Sequence, residues 1–425
     1  MYNYSLEHIV TIARSQSNFY KELYKSVAVD GWKLSELPVV PYSDFVGRLS
    51  TNQVDEIFTS KPRSGFIASS SSTTGVPKIC TFSKREWMAL ASILGRKVYE
   101  SGTLEDGDII ANLTMPGRMR TSYLAASYSH FLSPAECLDI PICGTEETEY
   151  IVEACKSLKP NTIAGLSFTL LNVANYIVKH DIKLNIKKIF YGGELMYGAQ
   201  MDFLKEAFPE ARIVSYMYGS NEAGLVGYSD RSCSYNEHRV CSESCIVEII
   251  DLETGEPITE ANKVGMIVTT NLTKVLLPAV RLPVGDKGKW LEPEGHKDRK
   301  FALCGRLNEP ETVINGVVLA PSVFREITDA LVNNVPIIRL QLQVTENEGK
   351  EKLTLKVCLK PGVENNHAKA YDEIYRAVTK VYPFLKGDGE DSISCSFEIL
   401  FVDVEEIIPT TRSAKHRQIL DLRQS

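Results

Sequence analysis

Asn161–Glu194 reads NTIAGLSFTLLNVANYIVKHDIKLNIKKIFYGGE, and this stretch decides the fold. Asn161–Gly165 reads as a short strand. Phe168, Leu171, Ala174 and Ile177 then recur near 3.6 spacing, which predicts a helix. Ile186–Tyr191 is a second apolar run that stops at Gly192-Gly193, a strand followed by its turn. The flanks repeat the alternation. Asp108–Leu113 and Arg212–Tyr216 read as strands, Glu149–Leu158 and Gln200–Ala207 as helices. Strands separated by helices argue for a largely parallel sheet, so the expected class is α/β.

Further along, the texture changes. Ile246–Asp251 and Val264–Thr270 read as strands around the turn Glu253-Thr254-Gly255, which suggests an antiparallel β subdomain. From about Arg306 the order is strand, helix, strand, strand, helix, strand. Helices are expected over Val323–Val332 and Ala368–Val381. A hairpin is expected from Ile337–Thr345 and Lys352–Leu359 around Glu348-Gly349-Lys350. This is a small α+β unit of common domain size. A chain of 425 residues with 44% hydrophobic content exceeds one compact domain. The expected division is a large domain over 1–305 and a small C-terminal domain over 306–425.

Charge and composition narrow the function. The net charge of −7 and pI near 5.7 give no basic footprint for nucleic acid. No apolar run approaches the length of a membrane span. Met1–Gln16 mixes charged and polar residues throughout, unlike a signal peptide. The ten cysteines are scattered through a long chain, which suits reduced thiols in the cytoplasm. A cytoplasmic protein without nucleic-acid or membrane partners is therefore expected.

The segment Ser69-Ser70-Ser71-Ser72-Thr73-Thr74-Gly75-Val76-Pro77-Lys78 concentrates hydroxyls, one glycine and a cation. Backbone N–H groups and side-chain donors in such a loop can wrap an anion. Phe66-Ile67-Ala68 before it reads as a strand end. Ser83 and Glu86 after it form a capping box. Gly-Lys-Ser/Thr is missing, so this is not a Walker A loop. By itself the segment fits a flexible Ser/Thr linker equally well.

Five further motifs accompany the loop, and together they resemble the adenylate-forming superfamily of acyl-CoA synthetases, adenylation domains and luciferases. The phenylacetate-CoA ligase-like branch is the most similar in length and motif style. The loop at 69–78 resembles that family's pyrophosphate loop. Tyr191-Gly192-Gly193-Glu194 resembles the segment that lies against adenine. Tyr218-Gly219-Ser220-Asn221-Glu222 resembles the motif whose Tyr stacks on adenine and whose Glu holds Mg²⁺. Arg281-Leu282-Pro283-Val284-Gly285-Asp286 resembles the motif whose Asp grips the ribose hydroxyls. Gly305-Arg306-Leu307-Asn308 resembles the hinge before the C-terminal domain, with Asn308 in the hinge position. Pro409–Lys415 resembles the terminal loop that carries the catalytic Lys, here Lys415. The family pattern is not kept everywhere: Ser72, Asn221, Val284, Asn308 and Ala414 replace its usual Gly, Thr, Thr, Asp and Gly.

The resemblance implies ATP and Mg²⁺ as cofactors, a carboxylic acid as substrate, and coenzyme A or an acyl-carrier protein as acceptor. It implies two steps: the carboxylate attacks the α-phosphorus of ATP, and the acyl-adenylate then meets a thiol while the C-terminal domain turns about Asn308. It also implies a structural Zn²⁺ in some members. Cys233, His238, Cys241 and Cys304, with Cys245 as an alternative, are the residues that would hold it. For the acyl pocket, Met115–Tyr123 and the aromatic residues Phe168, Tyr191 and Tyr216–Tyr218 are the candidates. Arg118 and Arg120 would suit a polar or acidic substituent, or else face solvent.

Overall fold

The computed structural model describes residues 3–51, 53–70, 78–307, 312–314, 317–331, 334–347, 350–362, 367–386, 395–407 and 418–423. Its centre is a five-stranded parallel sheet. In spatial order the strands are Leu138–Ile140, Ile109–Leu113, Thr162–Leu166, Lys188–Gly192 and Arg212–Ser215. The strand–helix–strand reading of Asn161–Glu194 is borne out, with the helix at Ser167–Lys179.

Alternation across the register explains why this sheet is buried on both faces. Ala111, Ile163 and Ile189 are in register with one another. They face a core shared with the helices Thr148–Leu158, Ser167–Lys179 and Gly198–Ala207. Ile110, Ala164, Phe190 and Val214 point the other way, into the largest core. That core also takes the apolar face of the helix Lys84–Glu100, with Trp87, Leu90, Leu94 and Val98. The Ser83–Glu86 capping box starts this helix: the Ser83 hydroxyl accepts from the Glu86 N–H at 3.3 Å, and the Glu86 carboxylate accepts from the Ser83 N–H at 2.9 Å.

The expected β subdomain is larger than the sequence indicated. It is a seven-stranded antiparallel sheet in the order Cys245–Ile250, Val264–Asn271, Leu282–Trp290, Lys300–Arg306, Glu237–Val240, Gly224–Tyr228 and Met217–Ser220. The N-terminal helices seal one side of it. The Tyr20 hydroxyl donates to the Pro278 carbonyl and accepts from the Val280 N–H, both at 3.1 Å. The strand before the hydroxyl-rich segment and the capped helix after it are both present, with one further strand between them: Phe66–Ser70 pairs antiparallel with Lys78–Phe82, and the helix follows the second strand.

The C-terminal unit is a four-stranded sheet. Its hairpin, Ile337–Asn347 with Lys350–Leu359, lies between Cys395–Phe401 and Ile419–Asp421. The helices Pro321–Leu331 and His367–Val381 pack on it. The hairpin and both helices match the expectation. The sheet rests on the helices of the parallel sheet through Ile338, Cys358, Val404 and Ile407. Arg339, almost wholly buried, ties the two together. Its guanidinium donates to the Phe168 carbonyl at 2.7 Å and to the Asn172 side chain at 3.1 Å. Among the described residues, no helix is long and apolar enough to cross a membrane.

Candidate active site

The carboxyl ends of parallel strands are where an open α/β sheet offers a crevice to ligands. Here that crevice is a cavity of about 310 Å³. Ala164–Leu166 and Phe190–Gly193 form its sheet side, and residues 216–222 continue the wall. Lys78, Asp286 and Arg306 also line it, so four separate motifs and the end of the hydroxyl-rich segment converge. Gly219 is where the chain must be bare. A Cβ there would lie 2.2 Å from the Gly224 carbonyl oxygen on the neighbouring strand.

The charges in the cavity are paired. The Lys78 ammonium contacts the Glu222 carboxylate directly and lies 3.2 Å from the Tyr42 hydroxyl. Glu222 is only 4% exposed. Burial pushes its carboxyl up, but the charge and hydrogen bond of Lys78 outweigh this and hold it below the usual range. Burial likewise pulls the Lys78 ammonium down, and Glu222 and Tyr42 more than restore it. Across the cavity, Asp286 accepts from the Tyr218 hydroxyl at 2.7 Å and from Arg306 at 2.8 Å. Burial, and then Asp286 beside it, raise the Tyr218 phenol well above its ordinary value. Asn221 is held by the Thr121 hydroxyl, which donates to its side-chain oxygen at 2.8 Å.

The remaining lining is mostly apolar and aromatic. Phe190 and Tyr216 are stacked with centroids 5.1 Å apart, while Phe82 and Trp87 meet edge to face at 5.4 Å. Ala125, Ala126 and Ala164 leave the room between them. Arg120 lines the cavity but Arg118 does not. Phe168 is a correction to the expected aromatic wall. Its ring lies under the Arg339 guanidinium at 4.2 Å, on the side of the C-terminal sheet.

Of the expected nucleotide-binding residues, Lys78, Gly193, Tyr218, Gly219, Ser220, Asn221, Glu222, Asp286 and Arg306 share the one cavity. Glu194 is not part of that lining; its charge is felt by Arg339. Ser70 ends the strand that leads into the loop. Ser71, Ser72, Thr73, Thr74, Gly75, Asn308 and Lys415 lie outside the described residues. Tyr42 and Lys274 were not foreseen, and Thr121 was foreseen only within the stretch Met115–Tyr123 offered for the acyl pocket. Of these only Lys274 left a signal, as a cation set directly before the apolar run Val275–Val280.

The expected zinc set is not assembled. Among the described residues no three His, Cys, Asp or Glu side chains are gathered as a metal would need. Each member has gone elsewhere. His238 is buried between the Tyr218 and Phe301 rings, 2.7 Å from the Ser215 hydroxyl. Cys233 donates to Asp230 at 3.4 Å, Cys245 to the Val226 carbonyl at 3.4 Å, and Cys304 to the Ala302 carbonyl at 3.8 Å. Cys241 is wholly enclosed in the core with Tyr228 and Leu225. Burial pushes the thiols of Cys233 and Cys241 up to about 12.

No family model matches the chain. It is 26% identical over 301 residues to a phenylacetate-coenzyme A ligase of Aromatoleum evansii, covering 69% of this chain and 66% of that one. A phenylacetate-coenzyme A ligase of Thermus thermophilus is 21% identical over a 448-residue alignment, with 99% and 95% covered. Indoleacetate–lysine synthetase of Pseudomonas savastanoi is 24% identical over 205 residues, 48% of each. The chain thus spans just under two thirds of the first relative's length, nearly all of the second's and about half of the third's. Among solved structures, 2-hydroxyisobutyryl-CoA ligase in complex with 2-HIB-AMP superposes with a TM-score of 0.74 at 17% identity, covering 98% of this chain and 88% of that one. An anthranilate CoA ligase in complex with anthranoyl-AMP gives 0.54 at 15%, with 82% and 65% covered. These two share the fold. With the motifs in order, the cavity at the strand ends and one relative that aligns along nearly the whole chain, the protein resembles the adenylate-forming superfamily, in its phenylacetate-CoA ligase-like branch.

Proposed function

We propose that this protein activates a small aryl carboxylic acid with ATP as an acyl-adenylate, releases pyrophosphate, and passes the acyl group to coenzyme A. The observation that carries this reading is the convergence of Lys78, Tyr218, Glu222, Asp286 and Arg306 on one cavity. Phe82, Trp87, Phe190 and Tyr216 offer flat apolar walls to an aryl group. Relatives named for phenylacetate and indoleacetate support an arylacetic acid. The acceptor is less constrained, because one relative is named for coenzyme A and another for lysine. A carrier-protein or enzyme thiol is the alternative acceptor, and a non-catalytic nucleotide-binding protein is the alternative of another class. The nine cysteines described carry no disulfide, which suits a reducing compartment such as the cytoplasm.

The chemistry asks little of a general base, since a carboxylic acid is already ionised at neutral pH. The work is positioning and charge neutralisation. Tyr218 presents its ring to the base, and Asp286 accepts from the ribose hydroxyls after exchanging its bonds with Tyr218 and Arg306. Lys78 turns from Glu222 towards phosphate oxygens. Glu222 is a hard oxygen donor in the cavity, and one such carboxylate fits Mg²⁺, which shares its coordination with phosphates and waters. When bound there, the ion would draw charge from the phosphate oxygens. By family resemblance, Lys415 would approach the α-phosphate and the units 1–305 and 306–425 would reorient about Asn308. Exchange of labelled pyrophosphate into ATP across a panel of carboxylic acids tests the reading. Acid-dependent exchange is expected with aryl acids, and its absence across aryl, aliphatic and amino acids sinks the proposal.

A further inference from the structure

Lys274 is a cation near the cavity that belongs to none of the six motifs. It is 1% exposed, in the connection between the strands Val264–Asn271 and Leu282–Trp290. Its ammonium donates to the Asn221 carbonyl at 2.7 Å and to the Glu222 carbonyl at 3.1 Å. It also lies 4.6 Å from the centroid of the Phe82 ring. Asn271, fully buried, completes the hold by donating to the Ala223 carbonyl at 2.7 Å. The carbonyls of three consecutive residues, 221 to 223, are thus gripped from one short segment.

That segment is itself fixed. The side-chain oxygen of Asn271 accepts from the Thr273 and Lys274 N–H groups at 2.7 and 2.9 Å. The Glu86 carboxylate accepts from the Val275 and Leu276 N–H groups at 2.8 and 2.7 Å. Gly224 makes the close approach feasible. It sits at φ +75°, and a Cβ there would lie 2.5 Å from the Asn271 amide nitrogen. Enclosing an ammonium costs several kcal/mol unless it is well partnered. Burial accordingly draws the Lys274 ammonium below its ordinary value. A neutral side chain would fill this space at lower cost, so packing alone does not account for a charge at this position.

We propose that Lys274 is a positioning residue that clamps the main chain carrying Glu222, so that the carboxylate stays aimed into the cavity when it exchanges Lys78 for a divalent cation. The clamp rests on the reading of Glu222 as the cation ligand of an ATP site. It acts through backbone carbonyls and takes no hydrogen bond from the Glu222 carboxylate. Lys274→Met keeps the aliphatic stem and removes all donors. Lys274→Gln keeps one donor group and covers the case in which the Met variant does not fold.

The test is a direct titration of Mn²⁺ in the presence of ATP, followed by electron paramagnetic resonance, alongside thermal melting and pyrophosphate exchange. Ile177→Val, in the core on the far face of the parallel sheet, is the control for lost stability alone. Lys274→Met should weaken Mn²⁺ binding about tenfold, the scale of an unmade hydrogen bond. Lys274→Gln should fall between it and the parent, and Ile177→Val should match the parent. The proposal is overturned if a folded Lys274 variant binds Mn²⁺ as the parent does, if Ile177→Val shifts binding equally, or if the parent binds no Mn²⁺ with ATP. A parent that binds Mn²⁺ and ATP yet exchanges no pyrophosphate with any acid removes the adenylation reading instead, and the clamp is then judged on the titration.

Discussion

Two groups of chemistry-bearing residues meet opposite fates in this fold. Lys78, Glu222, Asp286 and Arg306 are far apart in the chain and line one cavity. Cys233, His238, Cys241 and Cys245 are close in the chain and assemble nothing. Topology accounts for both outcomes. The first four lie on or between antiparallel strands whose pairing joins distant parts of the chain, as where Asp286 sits opposite Arg306, and these strands border the crevice at the parallel strand ends. On an antiparallel strand, neighbouring side chains are sent to opposite faces. On Glu237–Val240 that alternation buries His238 against Tyr218 and Phe301, while Arg239 turns to Asp230 and Glu292. Closeness in sequence is therefore weak support for a site on a strand, and motif order across strand ends is strong support.

The sharpest way to break this contrast is Glu222→Gln. If the converged group is the working one, pyrophosphate exchange should fall by about 10²–10³ while the circular dichroism spectrum is kept. Exchange at the parental rate would place Glu222 among the idle residues. Asp286→Ala comes next. Losing hydrogen bonds from a charged group should weaken ATP binding by roughly 1.5–3 kcal/mol, measured by calorimetry. Unchanged affinity would mean that Gly285-Asp286 serves only Arg306 and Tyr218.

The dispersed group has its own signature, in stability. Burial pushes the His238 imidazole down from 6.5 to about 3. The unfolded chain takes up this proton near pH 6.5 and the folded chain does not until about pH 3. The neutral ring's contribution is thus complete above pH 6.5 and is lost as pH falls, at roughly 1.4 kcal/mol per unit. Melting temperatures should therefore drop more steeply between pH 6.5 and 4 in the parent than in His238→Phe; parallel curves would show that the folded ring takes the proton. The smallest effect expected is none at all. Protein purified without chelator should hold no stoichiometric zinc, and adding a chelator should leave the melting temperature unmoved. One bound zinc per chain would reverse the lesson drawn from Cys233 and His238.

Periodicity made the parallel sheet and the C-terminal unit legible, because Phe168, Leu171, Ala174 and Ile177 and the hairpin at Ile337–Leu359 each repeat with one clear spacing. The short strands Leu138–Ile140, Met217–Ser220 and Glu237–Val240 escaped, being too brief to show a period. The polar lining of the cavity was legible through its motifs. Its supports were not. Tyr42 reaches Lys78 across the long separation between a surface helix and a buried strand. Thr121 reaches Asn221, and Trp87 turns inward from a helix whose pattern announced only a buried face. Such contacts come from tertiary packing, which leaves no local spacing to read. Phe168 shows the reverse error: helical periodicity announced that it would be covered, but not by what.

The helix Ser167–Lys179 begins at the residue after Leu166, which lines the cavity, and Arg339 of the C-terminal sheet holds its Phe168 carbonyl and Asn172 side chain. Cavity wall and docking point are therefore less than two turns apart on a single stiff rod. Linkage makes the consequence two-way: whatever free energy an occupant spends displacing that rod, the seating of the C-terminal sheet gains or loses, and a weakened grip at Arg339 returns as an altered affinity at the wall.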